Sequence, residues 1–432
     1  MGDTILLIGG FLLLIFLRVP IAFALAASSL VTILTLGLSP VTVANQMFSG
    51  INSFSLLAVP FFLFLGKLMN DGGITDRLLK VADTIVGPIR GGLGHVNVLA
   101  SMMFGCISGS GAADTASVGS VLIPAMKKAG YDVPYTVAIT ACSSTLGMVI
   151  PPSILMVLYG AFGNVSIGAL FVGGLIPGIL IGVGQMAYTY YIAVKNGMEP
   201  TPRQPVTEVF KAVYHAIPPL LLPAIILGGI MSGLFTATEA AAVAVVLGLI
   251  LAIFVYRELP VRELPRVLGQ AVVDYSLPMF CVATAGIMGW LIAYLNIAND
   301  IAAFILSITH SSFGIMMMIS GFLIIVGTVL SPVTAVIIFL PIIQALGDVA
   351  HINDVHMGLI VVLSLTTGLV TPPYGICLLI GCQIAEISAT RAFVAVIPIL
   401  CITIGMIVLG SLFPDLMLFL PKLVMPEAFA GG

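Results

Sequence analysis

Apolar stretches recur along the chain from Ile5 to Phe419, and no long polar insertion separates them. Of the 432 residues, 60% are hydrophobic and 8% are charged. About a quarter of the residues in a soluble domain are charged, so this chain cannot cover a water-exposed globule of its size. In lipid the backbone must satisfy its own hydrogen bonds, which a helix does within one segment. The sequence therefore predicts an all-α polytopic membrane protein.

A full membrane span needs about 20 apolar residues. Full spans are predicted at residues 4–17, 20–37, 54–70, 134–160, 167–193, 214–233, 236–255, 275–296, 357–385 and 392–412. Two other apolar regions, 95–126 and 313–346, are interrupted near the middle, by Ser108 to Gly111 and by Gly327 to Pro332. Each arm has about 14 residues, fewer than the ~20 that crossing requires. Both regions are therefore predicted to be re-entrant hairpins.

The basic residues test this arrangement. Under it, all 15 Lys and Arg residues except Lys422 fall on or next to one face of the membrane. Lys and Arg accumulate on the cytoplasmic side, so that face is predicted to be cytoplasmic. The first hairpin then enters from the cytoplasm and the second from the periplasm, and both termini are expected to be periplasmic.

A sequence repeat divides the chain. Gly-Met-Val-Ile-Pro-Pro at 147–152 recurs 221 residues later as Gly-Leu-Val-Thr-Pro-Pro at 368–373. We predict a first repeat at 1–210 (scaffold spans 1–70, hairpin 95–126, broken helix 134–160) and a second at 211–432 (scaffold spans 214–296, hairpin 313–346, broken helix 357–385). Each half holds an odd number of full spans, so the second repeat is expected to be inverted. Inverted repeats with broken helices are typical of secondary transporters.

The proline pairs predict ion sites. Proline lacks an N–H group, so two prolines open a helix and leave bare carbonyls, each costing several kcal/mol in lipid. A hard cation such as Na⁺ satisfies such oxygens, and the hairpin bends supply further ones. The candidates are Ser108, Ser110, Gly147, Ile150 and Pro152 for a first Na⁺, and Gly327, Thr328, Gly368, Thr371 and Pro373 for a second. The alternative is that each proline pair is only a structural kink.

The broken helices also predict an anion site. Inward-pointing helix N-termini carry free N–H groups and a positive dipole end, which suit an anionic substrate. Hydroxyl side chains around the two breaks are the candidates for substrate contact: Ser143, Ser144, Ser153, Ser364, Thr366, Thr367 and Tyr374. The alternative is ordinary back-bonding of Ser and Thr hydroxyls to their own helix.

Two carboxylates in apolar surroundings have expected structural roles. Asp114 is expected to cap the second arm of the first hairpin through free N–H groups, and Glu239 to lie in the first turn of a helix capped by Thr236. Neither lies on a proline pair, which favours Na⁺ over proton coupling. The sequence has no nucleotide-hydrolysis or hydrolase motif, so an enzyme is not expected. A channel or a membrane-embedded hydrolase is the alternative from another class.

Several stretches together resemble the large membrane subunit (M, DctM-like) of tripartite ATP-independent periplasmic (TRAP) transporters. The resemblance covers nearly the whole chain and rests on residues 108–114, 123–131, 147–152, 233–240, 354–358 and 368–375. Two positions depart from the family pattern. Ser331 stands where many members have an acidic residue, and Ser364 where many have Asn. Both lie near the second predicted ion site.

The resemblance implies an elevator-type ion transporter in the bacterial inner membrane. In this family a domain holding the hairpins and broken helices slides against a scaffold, which a small four-helix membrane subunit (Q type) supports. A periplasmic substrate-binding protein (P type) delivers an organic acid, and at least two Na⁺ ions drive its import. No nucleic acid is expected as a partner. The alternative is a stand-alone Na⁺/divalent-anion carrier that needs no binding protein.

Overall fold

The computed structural model describes residues 2–202 and 205–429, and every regular element in these ranges is a helix. The predicted all-α fold is thus confirmed. The first half contains the α-helices Gly2–Thr4, Gly10–Phe16, Ile21–Thr35, Val41–Ile51, Ala58–Asp71, Ile74–Val86, Gly92–Ser108, Gly111–Lys128, Val133–Ser144, Ile154–Gly163 and Ile167–Lys195. The second half contains Val206–Met231, Ala237–Ile250, Leu264–Tyr294, Ile297–Ile308, Ser312–Val329, Pro332–Val349, Asp354–Gly368, Ile376–Ala385, Ala389–Leu412 and Asp415–Val424.

Shorter turns of helix join or extend these elements. Two are π-helical, at Ile5–Gly9 and Leu251–Val255, and four are 3₁₀-helical, at Phe54–Leu57, Thr145–Met148, Val261–Glu263 and Pro426–Phe429. Thr236 begins its helix with a complete capping box. Its hydroxyl accepts from the Glu239 N–H, and the Glu239 carboxylate accepts from the Thr236 N–H. The predicted cap is therefore confirmed.

In the described ranges, eight helices are long and apolar enough to cross a membrane: Phe54–Asp71, Ile167–Lys195, Val206–Met231, Ala237–Val255, Val261–Tyr294, Ser312–Val329, Pro332–Val349 and Ala389–Leu412. The first two predicted spans form the shorter apolar helices Gly2–Phe16 and Ile21–Thr35. The boundary predicted at residue 210 falls inside the helix Val206–Met231. Arg203, one of the basic residues used to orient the chain, lies outside the described residues.

Two helical hairpins lie where the sequence places them, but their arms are longer than expected. The first pairs Gly92–Ser108 with Gly111–Lys128, and the second pairs Ser312–Val329 with Pro332–Val349. The expected arm length of about 14 residues was wrong: the arms have 17 residues in Gly92–Ser108 and 18 in each of the other three. The helices continue into the polar stretches and stop only at a two-residue bend. Arm length therefore gives no argument for re-entry.

Each hairpin is followed by a helix that is broken at its proline pair. Val133–Ser144 continues as the 3₁₀ turn Thr145–Met148, and the helix resumes at Ile154–Gly163. Asp354–Gly368 resumes at Ile376–Ala385. The peptide bond between the two prolines is cis in both breaks. The same order of hairpin and broken helix thus occurs in both halves, while their inversion across a membrane stays a prediction.

Candidate ion and substrate site

The bend of each hairpin lies against a broken helix through a pair of glycines. A Cβ atom added to Gly147 would lie 2.8 Å from the Gly105 Cα, and one added to Gly368 would lie 2.6 Å from the Gly327 Cα. No side chain fits at either of these helix contacts, which we call the first and second glycine crossings, so glycine is required at these four positions. The end of each first hairpin arm therefore packs against the middle of a broken helix. Re-entry of the hairpins stays a prediction.

Asp114 lies at the first crossing with one carboxylate oxygen unpaired. Its side chain is fully buried, and Oδ1 accepts a hydrogen bond from the Ser108 hydroxyl. Oδ2 is buried and has no hydrogen-bond partner among the described residues, and it faces Gly147 so closely that a Cβ there would overlap it. The helix Gly111–Lys128 receives no side-chain cap from its N-cap residue, Ser110. The expected capping role of Asp114 is therefore replaced by contacts with Ser108 and the first break.

The first break leaves the carbonyl of Gly147 without its helical donor. In a continuous helix the Gly147 carbonyl would accept from residue 151, which is a proline and has no N–H. The Met148 carbonyl loses its donor in the same way but accepts from the Ser153 hydroxyl at 2.5 Å. No hydrogen bond outside the helices ends on the Gly147 carbonyl within the described ranges. The first break thus has an unpaired carboxylate oxygen that faces Gly147 and a Gly147 carbonyl without a donor.

The other predicted residues of the first ion site lie around the same break. Ile150 is buried, and its N–H donates to the Leu146 carbonyl at 2.7 Å. The Pro152 carbonyl would lie 3.3 Å from a Cβ added to Gly109, so the hairpin bend packs directly on it. Ser110, next in the bend, is half-buried and faces two cavities.

The second break differs from the first in two ways. The Gly368 carbonyl accepts from the Thr371 N–H at 3.1 Å, and the Leu369 carbonyl accepts from the Cys377 N–H at 3.1 Å. The repeat offset of 221 residues places Ala335 where the first half has Asp114. The second break therefore has satisfied carbonyls and no equivalent carboxylate.

Two other predicted ligands at the second break have hydroxyl groups that already donate hydrogen bonds to backbone carbonyls. The Thr371 hydroxyl donates to the Thr367 carbonyl, and the Thr328 hydroxyl donates to the Ile325 carbonyl, each at 2.7 Å. Pro373 is exposed, whereas both prolines of the first break are buried. A cation at the second break could be coordinated by these carbonyl oxygens only if they gave up their present hydrogen-bond donors.

A central cavity of about 400 Å³ lies between the two hairpin bends. Its polar lining includes Ser110 from the first bend, Thr328 and Ser331 from the second, and Tyr374 from the second break. Both second arms begin here, because Gly111 and Ala112, and likewise Pro332 and Val333, line the same space. Two helix N-termini therefore converge on the cavity, which favours an anion.

A side cavity of about 260 Å³ lies on the other face of the first bend. Ser108 and Ser110 line it from the hairpin, and Lys67, Asn70 and Asp274 line it from the helices Ala58–Asp71 and Leu264–Tyr294. Ser110 belongs to both cavities, so the two spaces adjoin at this residue. The sequence placed no basic residue at either break and therefore gave no signal for Lys67.

Of the residues predicted to contact substrate, Tyr374 lines the central cavity and the others do not. The hydroxyls of Ser144, Ser364, Thr366 and Thr367 donate to carbonyls three or four residues earlier in their own helices. These four hydroxyls follow the back-bonding alternative. Ser153 is buried, and its hydroxyl donates to the Met148 carbonyl across the break.

Ser143 holds the first hairpin to the first broken helix. Its hydroxyl shares a hydrogen bond with Ser101 at 3.0 Å and donates to the Asn97 side chain at 3.2 Å. Asn97 also donates to the Thr140 hydroxyl at 2.6 Å. All four side chains are fully buried. Such a network fixes the hairpin to the helix that carries the break.

Another cavity, of about 410 Å³, lies away from both breaks. Arg77, Lys80 and Lys211 line it together with Glu208 and Glu258. Positive and negative side chains are mixed there, and Arg77 is paired with Glu258 at 3.2 Å. The cavity therefore favours neither sign of charge.

Comparison with known proteins identifies the family. The family "Tripartite ATP-independent periplasmic transporter, DctM component" matches residues 8–416. The sialic acid TRAP transporter large permease protein SiaM of Vibrio cholerae is 35% identical over 96% of this chain and 97% of its own length. The isethionate TRAP transporter permease protein DctMQ of Oleidesulfovibrio alaskensis is 35% identical over 96% of this chain and 65% of its own length.

A solved structure has the same fold at low sequence identity. MtrF of Neisseria gonorrhoeae, from a class of antimetabolite efflux pumps, aligns with a TM-score of 0.62 at 12% identity. The alignment covers 86% of this chain and 84% of that one. The fold of hairpins and broken helices is thus that of a membrane transporter.

Proposed function

The chain belongs to the DctM family of tripartite ATP-independent periplasmic transporters, and we propose that it couples Na⁺ entry to the import of a small organic anion. It does so as the large subunit of a bacterial inner-membrane transporter. Its partners are a small Q-type membrane subunit of four helices and a periplasmic P-type binding protein. Both termini of the chain are then periplasmic.

The observation that carries the proposal is the unpaired, buried Oδ2 of Asp114, which faces Gly147 at the first break. An unpaired buried carboxylate costs several kcal/mol, so this arrangement calls for a positive partner. A proton would satisfy the carboxylate alone. A hard cation would in addition be coordinated by the Gly147 carbonyl and the Ser108 hydroxyl, which favours Na⁺.

The substrate is proposed to bind in the central cavity. Two helix N-termini and the hydroxyls of Ser110, Thr328, Ser331 and Tyr374 line it together with apolar side chains, so acceptor oxygens of an organic acid can be hydrogen-bonded there. The named relatives act on sialic acid and isethionate, a carboxylate and a sulfonate. Either group has the charge and acceptor oxygens that this lining suits.

The proposed cycle begins with Na⁺. Binding at the first break draws Ser108, Asp114 and Gly147 together and orders the bend that carries Ser110. The anion then binds on the other side of that bend. A glycine crossing joins each hairpin to its broken helix, and the Ser143 network adds to this in the first half, so these elements move as one body past the scaffold helices.

Reconstitution tests the proposal against a stand-alone carrier. Proteoliposomes containing this chain, its small membrane subunit and its binding protein should take up the anion only with an inward Na⁺ gradient. Replacing Na⁺ by choline should abolish the uptake. Full uptake in choline would remove the Na⁺ coupling. Full uptake by the chain without the binding protein and small subunit would favour the stand-alone carrier.

A further inference from the structure

Lys67 is a basic residue beside the first hairpin bend. The helix Ala58–Asp71 is apolar except near its end, where Lys67 precedes Asn70 and Asp71. The neighbouring Gly66 touches the bend directly, since a Cβ added there would lie 3.2 Å from the Ser108 Cα. The Lys67 side chain is 23% exposed and lines the side cavity opposite Ser108 and Ser110. An ammonium group is thus held at the edge of the proposed ion and substrate sites.

Among the described residues, the ammonium group of Lys67 has one ion-pair partner, and that pair is long. Its nitrogen lies 3.6 Å from the carboxylate of Asp274 on the helix Leu264–Tyr294. A charge-assisted hydrogen bond between these groups would be about 2.7–2.9 Å long. The Asp274 side chain is 65% exposed, and exposed ion pairs contribute little to stability. Another anion can therefore replace Asp274 at small cost.

The side cavity is suited to part of a ligand. Its volume of about 260 Å³ is below the ~300–1,000 Å³ typical of whole-ligand pockets. It adjoins the larger central cavity at Ser110. One end of an organic acid can lie between the hairpin bends while its charged group reaches past Ser110 toward the scaffold.

We propose that the Lys67 ammonium group binds the carboxylate or sulfonate of the substrate, which displaces the Asp274 carboxylate. The site is shared between the moving hairpin, through Ser110, and the scaffold, through Lys67. Substrate binding at Lys67 therefore favours the arrangement of hairpin and scaffold seen here. The inference rests on the proposed function, because it assumes that an organic anion is carried.

The test is equilibrium binding to the full-length protein purified with its small membrane subunit. The probes are sialic acid, isethionate and succinate in saturating Na⁺, and the probe that binds the wild type is then used with the variants. Lys67→Gln should weaken its binding tenfold or more, the effect of losing a charge-assisted contact of about 1.4 kcal/mol. Lys67→Arg, which keeps the charge, should stay within about threefold of the wild type. Lys80→Gln removes an exposed charge that lines neither the side cavity nor the central cavity, and it is the matched control.

Asp274→Asn separates substrate binding from a structural ion pair. If Asp274 only competes with the substrate, its removal should tighten binding by roughly two- to fivefold. If the pair is structural, Asp274→Asn should weaken binding as much as Lys67→Gln does, and that result would overturn the inference. Binding by Lys67→Gln equal to that of the wild type and Lys80→Gln would also overturn it.

A Na⁺ titration without anion distinguishes the two proposals. Lys67→Gln should leave the Na⁺ affinity equal to or higher than that of the wild type, since the proposed Na⁺ ligands are other residues and the lost ammonium charge repels a cation. If the wild type binds a probe equally well without Na⁺, the coupling proposal fails while the Lys67 result still stands. If none of the three probes binds the wild type in Na⁺, the proposed substrate class fails and the Lys67 inference fails with it.

Discussion

Replacing Asp114 by Asn tests the proposed first Na⁺ site most directly. The side chains have nearly the same shape, so the amide can keep the contact with the Ser108 hydroxyl while the charge is lost. The unpaired oxygen beside Gly147 then becomes a neutral dipole. We expect Na⁺ binding to weaken strongly and the fold to be retained.

The magnitude follows from the burial of the carboxylate. Two unit charges 4 Å apart attract by about 4 kcal/mol at an effective dielectric constant of 20. The Asn dipole recovers part of this, which leaves a loss of about 2.7 kcal/mol, or a hundredfold in Kd. Na⁺ at 100 times the wild-type Kd stabilises the folded state by about 2.7 kcal/mol, and the same concentration stabilises the variant by only about 0.4 kcal/mol.

Unfolding of the purified protein, followed with and without Na⁺, measures this difference. Asp114→Asn should lose most of the Na⁺-dependent stabilisation and be at least as stable as the wild type without Na⁺, because it no longer buries an unpaired charge. Glu239→Gln, an exposed carboxylate in a capping box that Gln also completes, is the control. An Asp114→Asn variant stabilised by Na⁺ as strongly as the wild type would refute the assignment.

Three further substitutions have defined outcomes. Gly147→Ala, whose Cβ would lie 2.8 Å from the Cα of the hairpin glycine opposite, should lower the free energy of unfolding by about 1–3 kcal/mol and abolish uptake. Gly321→Ala, with nothing within 4 Å of its Cβ, should do neither. Ser110→Leu should block uptake by filling both cavities, whereas Ser120→Leu, at an exposed position of the helix that follows, should transport normally. Thr236→Ala should cost about 1 kcal/mol in chemical unfolding through the lost cap, with Na⁺ affinity unchanged.

Local sequence predicts the two breaks because proline acts on its own helix. Two prolines remove two consecutive donors whatever surrounds them, so the openings at 147–152 and 368–373 can be placed from the sequence. The hairpin bends are also local signals, since Gly and Ser interrupt otherwise apolar runs. Arm lengths were less predictable, because Ser108 and Gly327 still belong to helices.

Side-chain direction depends on neighbours that are distant in sequence. Asp114 lies in the first turn of a helix, where capping is its ordinary role, yet it bonds Ser108 and faces a glycine 33 residues away. The hydroxyls of Ser364, Thr366 and Thr367 flank a break in sequence but bond to their own helix. The same position in the sequence is compatible with a local bond or with a contact to a distant residue. The packing of the helices determines which of the two forms.

The unequal breaks lead to a prediction about charge movement. With two Na⁺, one at each break as the sequence predicts, a monovalent anion and the Asp114 carboxylate, the buried site of the loaded moving body is neutral. Emptied, it returns with Asp114 alone and carries one negative charge outward. The membrane potential, worth about 2.3 kcal/mol per charge per 100 mV, then acts on the empty return step.

Net uptake and exchange distinguish the loaded step from the empty return step. Net uptake into proteoliposomes should accelerate with an inside-negative potential, because every cycle includes the empty return. Exchange of internal for external anion in saturating Na⁺ uses only the neutral loaded step, so its rate should not change with potential. If exchange responded to voltage as strongly as net uptake, the loaded site would carry net charge. Asp114 would then not be the residue that balances the coupling ions.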